Sequence, residues 1–156
     1  MDLFQNNGAE FSNSRKYRYA LWRIWDDKKP MIMFIGLNPS TANESDDDPT
    51  IRRVKRFAYD WGYGGVYMCN CFSYISTNPN YLKDFNTTVT DNAWIYLFAA
   101  KCAAKVFAWG NFKIAEERGK ELSGFFPEAL CLGKNKNGSP KHPLYIAANT
   151  KPILFK

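Results

Sequence analysis

Residues Tyr17 to Trp25 alternate between apolar and polar side chains, which predicts a strand with one exposed face. A turn at Asp26-Asp27-Lys28-Lys29-Pro30 follows. The run Met31-Ile32-Met33-Phe34-Ile35-Gly36-Leu37 is then apolar throughout and of strand length, as in a central strand buried on both faces. Asn38 to Asp48 read as a polar loop, and Pro49 suits the first turn of a helix. Ile51, Val54, Ala58 and Trp61 give that helix an apolar stripe, and Arg52, Arg53, Lys55 and Arg56 give it a basic face. Gly62-Tyr63-Gly64-Gly65 ends the helix, and Val66 to Phe72 form the next buried strand. Beyond an irregular loop over 73–90, Asp91 is expected to cap a helix reaching about Ala103. Lys105 to Trp109 read as a strand. Asn111 is expected to cap a helix with Phe112, Ala115, Gly119 and Leu122 on one face, and Ala129 to Leu132 as a short strand. Residues 1–14 are polar and read as a mobile lead-in.

Buried strands thus alternate with amphipathic helices, without a repeat or a domain boundary. The expectation is one α/β domain over 1–156. It is a three-layer sandwich whose central, mostly parallel four-stranded sheet carries helices on both faces. Ligands of such folds sit at the carboxyl ends of the strands. Gly36-Leu37-Asn38-Pro39-Ser40, Asn70-Cys71-Phe72 and Trp109-Gly110-Asn111 occupy those ends, and the loop holding His142 is the fourth candidate.

Charge sharpens this picture. The net charge is +6, yet residues 1–100 hold 11 basic and 11 acidic side chains, so the excess lies in residues 101–156. It marks either a soluble basic surface or a phosphate-facing end. Aromatic residues reach 17%, enough to fill a core and leave rings for stacking on bases. No apolar run approaches the length of a membrane span. Met1-Asp2-Leu3-Phe4-Gln5 lacks the basic start and apolar core of a signal peptide, so a cytoplasmic protein is expected. Cys69, Cys71, Cys102 and Cys131 form no CxxC pair and read as reduced, buried thiols; one histidine is too few for a zinc site. Nothing demands an obligate interface, and a monomer is expected.

Nucleotide-binding GxGxxG and GxxxxGK[ST] loops and the GxSxG elbow are absent. Asp46-Asp47-Asp48 stands before a helix, where carboxylates complement the dipole; magnesium binding is the other reading. Asn38 is either a turn residue or a site residue, and His142 a loop histidine or a ligand-facing one. Asn70 lies at the end of a buried strand, where an unpartnered amide costs about 1–3 kcal/mol. It is either a structural hydrogen bonder or a ligand reader.

Taken in order along the strand ends, Gly36-Leu37-Asn38-Pro39-Ser40, Asn70, Trp109-Gly110-Asn111 and His142-Pro143 resemble the motifs of the uracil-DNA glycosylase superfamily. The resemblance covers residues 31–146, and the Asn at position 38 resembles the mismatch-specific uracil/thymine branch. Arg18 to Trp25, Gly36 to Arg53, Trp61 to Gly65 and Gly138 to Tyr145 are also similar to a bacterial and phage family, the domain of unknown function numbered 1643. The superfamily resemblance implies roles residue by residue. Asn38 would position the attacking water, and His142 would hydrogen-bond the departing base. Asn70 would read the pyrimidine edge, with Phe72 or Tyr74 stacking on the ring. Gly110 and Asn111 would lie on a phosphate-compressing loop, and Leu144 or Tyr145 on the wedge that fills the vacated stack. Ser40 replaces the bulky Tyr of strict uracil enzymes and would leave room for a 5-substituent. The His-Pro loop lacks the usual Ser after Pro, and the cysteine spacing does not match the iron–sulfur branches.

The expected activity is a monofunctional DNA glycosylase that needs no metal and no cofactor. It would hydrolyse the N-glycosidic bond of a flipped-out damaged or 5-modified pyrimidine and leave an abasic site, in repair or in defence against phage with modified DNA. Phosphate contacts would come from Lys134, Lys136, Ser139 and Lys141, and from Arg52 and Arg53 of the basic helix. Two rivals stand beside it: a non-catalytic DNA-binding module on the same fold, kept open by the weak base Asn38, and a hydrolase of free nucleosides or nucleotides.

Overall fold

The apolar run beginning at Met31 forms β3 (Met31–Gly36), the middle strand of the sheet. The computed structural model describes residues 6–82 and 89–156. Within them β1 (Asn6–Phe11), β2 (Arg18–Ile24), β4 (Gly65–Asn70), β5 (Ala104–Phe107), β6 (Leu130–Cys131) and β7 (Ile153–Leu154) join β3 in one sheet of order β1-β2-β4-β3-β5-β6-β7. The helices are α1 (Pro49–Asp60), α2 (Val89–Ala99) and α3 (Glu116–Phe125).

Alternation along β3 builds two cores. Ile32 and Phe34 face α1, meeting Ile51, Val54, Phe57 and Ala58. Met33 and Ile35 face the opposite way, towards Ile95, Phe98 and Ala99 of α2 and Leu122 of α3. Helices therefore cover both faces of an α/β sheet. Cys69, Cys71 and Cys102 lie in the α2–α3 core; all four cysteines are free and buried, and burial pushes each thiol up.

The sheet departs from the expected four-stranded, mostly parallel form. It has seven strands, and three of its six pairings are antiparallel. The parallel pairings are confined to β4-β3-β5-β6. Most of the polar lead-in is β1, paired with β2 from Asn6↔Ile24 onward; residues 1–5 lie outside the described chain. Glycine at position 8 lets the Trp22 ring lie against β1, since a Cβ would stand 2.5 Å from it. β7 was not apparent from its pattern either. α2 ends at Ala99, short of Ala103, and the capping role expected of Asp91 concerns a side chain outside the described ones. Asn111 caps no helix. A short 3-10 turn over Lys113–Ala115 leads into α3, whose dipole is met by Glu116 and Glu117.

β2 is not the half-exposed strand its alternation suggests: Arg18 and Arg23 are each 2% exposed. Arg23 is held by the Asp47 carboxylate (Nε to Oδ1, 2.8 Å), and donates to the carbonyls of Asn43 (2.7 Å), Asp46 (3.3 Å) and Trp22 (2.9 Å). A buried charge is tolerated only with such partners. Arg23→Ala is expected to cost on the order of 3–5 kcal/mol in urea denaturation, because it strands the acceptors of the 43–47 loop. A loss below about 1 kcal/mol, the range of exposed pairs, would contradict this anchoring role.

Candidate functional site

Parallel pairing sets Gly36 opposite Asn70, so β3 and β4 end side by side, with the end of β5 next to them. β2 runs antiparallel to β4, so its first residue, Arg18, lies at the same edge. Backbone hydrogen bonds join the emerging loops: Cys71 N to Gly36 O (2.8 Å), Ser76 N to Pro39 O (3.0 Å) and Gly110 N to Pro140 O (3.0 Å). Gly110 has φ +82°, a backbone state that favours glycine, and a Cβ there would press on the ring of Phe112.

These loops enclose an inner cavity of about 150 Å³ whose lining includes Arg18, Asn38, Ser40, Asp48, Asn70 and His142. The Asn38 NH2 is consumed by the carbonyls of Pro39 (3.0 Å), Tyr74 (3.2 Å) and Ser76 (2.9 Å). Its oxygen is the polar atom left to face a ligand. Asn70 is 6% exposed, and its Nδ2 is buried without a partner. His142 Nδ1 accepts from the Leu144 N–H (3.2 Å), which leaves a proton on Nε2. Burial lowers the His142 pKa below the ordinary imidazole value, with Asp48 opposing, so the ring is a neutral donor at pH 7.

An outer cavity of about 510 Å³ adjoins the inner one, sharing Thr50, Thr77, Pro79, Phe112 and His142 with it. Gly110, Asn111, Lys141, Leu144 and Tyr145 also line it, and Tyr145 is 84% exposed. Arg53 holds the rim: its Nε donates to Pro143 O (3.1 Å) and its Nη2 to Ile146 O.

The structure thus gathers Asn38, Ser40, Asn70 and His142 in one cavity, and Gly110, Asn111, Lys141, Leu144 and Tyr145 in the next. It does not bring the other expected residues there. Phe72 is buried in the α2–α3 core, where its apolar ring belongs. Tyr74 packs edge-on to Tyr17, 5.7 Å between centroids, and serves the site through its carbonyl. The basic face of α1 is occupied internally: Arg52 on Asp47 O, Lys55 on the Asp47 carboxylate, Arg56 on Asp60, and Arg53 on the rim. Lys134 donates to the carbonyl of Lys156. Lys136 is exposed outside both cavities. Ser139 lines a separate cavity of about 460 Å³ beside α3.

Three residues escaped the sequence reading. Arg18 looked like a surface position of an alternating strand. Asp48 does stand at the helix start as the acidic run implies, its Oδ1 accepting from Ile51 N (2.9 Å), but it is 7% exposed and lines the inner cavity, which the run does not reveal. Asp47 pairs with Arg23 and Lys55, and Asp46 with Asn43, so the three carboxylates have separate partners. Phe112 is the aromatic ring that lines both cavities.

Residues 18–144 match the family described as "Protein of unknown function (DUF1643)", and the chain belongs to it. No curated protein and no solved structure matches. Among the described residues no helix is long and apolar enough to cross a membrane.

A Cβ at position 36 would stand 2.9 Å from Asn70 Oδ1 and 2.7 Å from Met68 Cε, both ends of side chains that can move. Gly36→Ala is therefore expected to displace the Asn70 amide while the melting temperature stays within about 4 °C. An unshifted Asn70 side-chain amide resonance in NMR would refute this fit.

Proposed function

We propose that this member of the DUF1643 family is a monofunctional DNA glycosylase acting on a flipped-out pyrimidine. The observation that carries the reading is the meeting, in one cavity at the strand ends, of the Asn38 oxygen, the unpartnered Asn70 amide and the neutral His142 donor. Kinship with the uracil-DNA glycosylase superfamily is part of the proposal and rests on the order of the motifs. Size agrees with it: a cavity of about 150 Å³ accommodates one six-membered ring. The sugar and flanking phosphates would occupy the outer cavity, near Lys141 and Asn111.

In this mechanism flipping costs a few kcal/mol, offset by contacts in the outer cavity. The bond between C1′ and the base nitrogen breaks, and its electron pair leaves with the base. His142 Nε2–H donates to the oxygen on which that charge collects, a fixed donor placed where charge develops. The sugar becomes cationic at C1′. Asn38 Oδ1 accepts a hydrogen bond from a water and orients it. The water oxygen bonds to C1′, and its proton neutralises the departing base. An amide is too weak a base to ionise water beforehand, so leaving-group stabilisation carries the rate.

Labelled oligonucleotides containing uracil, mismatched thymine or 5-hydroxymethylated pyrimidines test the reading by alkaline cleavage. Abasic sites are expected with the wild-type chain, and Asn38→Ala should slow their formation on the order of 100-fold or more. Binding without any cleavage would favour the non-catalytic module, and turnover of free nucleosides alone would favour the nucleoside hydrolase.

The His142 shift fixes the sign of the pH response. Its folded pKa is depressed, so the neutral ring and its cap on Leu144 persist above 6.5 and fail only as pH falls through the lower folded value. Single-turnover rates are expected to stay level through pH 6.5 and decline below it. A decline already centred above 6.5 would exclude the neutral-donor role.

A further inference from the structure

Arg18 is the largest unexplained group in the inner cavity. Its Nη1 donates to Ala42 O (3.1 Å), its Nε is buried without a partner, and its Nη2 has none among the described residues. The Nε–Nη2 edge of a guanidinium is a planar fork that matches two neighbouring acceptors. Buried donors left unmade are costly, and these share one cavity.

Asp48 lines that cavity as well. One of its carboxylate oxygens accepts from Ile51 N, and the other has no hydrogen-bond partner among the described residues. A carboxylate on the same lining repels a phosphate or carboxylate ligand and calls instead for a hydrogen-bond donor. This set of groups suits a neutral ring with two adjacent acceptors and a donor beside them.

We infer that the base taken into this cavity is of the cytosine type, its O2 and N3 held by the Arg18 fork and its 4-amino group by Asp48. This inference rests on the glycosylase reading and narrows its substrate. Uracil and thymine alternate acceptor, donor, acceptor, so the fork would meet the N3–H. Ser40 on the same lining leaves room for a small group at C5, such as hydroxymethyl. Cytosine is also the poorer leaving group, and a permanent cation beside O2 and N3 compensates for this as the base departs with the bonding electrons. Burial lowers the Arg18 pKa to about 10, against the pull of Asp48, so the group stays charged at neutral pH.

Single-stranded oligonucleotides remove pairing energy from the comparison. Each would carry cytosine, 5-hydroxymethylcytosine, uracil or thymine at one position, with binding read by fluorescence anisotropy and cleavage by alkaline treatment. The cytosine-type strands are expected to bind about tenfold tighter than the uracil and thymine strands, the discrimination of one good bidentate contact. Arg18→Lys keeps the charge, loses the fork and should bring the strands within about twofold. Should that variant not fold, Asp48→Ser still caps α1 while withdrawing the acceptor, and is expected to erase the same preference. Equal or tighter binding of uracil or thymine by the wild-type chain overturns the inference, as does a folded variant that keeps the preference. Cleavage reports separately: abasic sites with a uracil preference leave the glycosylase reading standing and this one fallen. A cytosine preference without cleavage does the reverse, and leaves a cytosine reader.

Discussion

A guanidinium removed from water calls for acceptors, and β2 buries two such groups. This constraint organises the molecule. Arg23 takes its acceptors from Asn43, Asp46 and Asp47, and Arg18 takes one from Ala42, so the loop before α1 is fastened to the sheet. That fastening sets Asp48, which caps α1. α1 in turn carries Arg53, which holds the carbonyls of Pro143 and Ile146 and with them the segment containing His142. Two charges on one strand thus govern, through a loop and a helix, a ring more than a hundred residues away. The apolar cores supply the bulk of the stability, but burial is non-directional, whereas a hydrogen-bonded charge fixes which loop lies where.

Much of this was legible in the chain. β3, β4 and α1 announce themselves because long apolar runs and a helical stripe have few alternative meanings. Their order put Asn38, Asn70 and His142 at strand ends. The edge strands were not legible. β1 is Asn-Asn-Gly-Ala-Glu-Phe and β7 spans two residues, so neither carries a pattern; pairing with a neighbour makes them strands. Arg18 was missed for a related reason. In an alternating segment an arginine reads as solvent-facing, and its burial depends on Ala42 and Asp48, both far along the chain.

The basic face of α1 carries the complementary lesson. A row of arginines and lysines suggests phosphate, yet each partner here is intramolecular. Charge counts along a sequence do not reveal which cations already have partners within the chain. The same holds for the amides: the sequence names Asn38, but only three converging carbonyls decide that its oxygen, and not its nitrogen, faces the cavity.

The inner cavity takes its walls from Arg18 at one end of the chain and His142 near the other, with strand ends between. No contiguous fragment holds a rudimentary version of it. Pairings between such distant segments form late and together. A chain still emerging from synthesis has no such pocket until the His142 segment docks under Arg53. The fold thereby acts as its own safeguard: completion of the cavity and completion of folding are a single event.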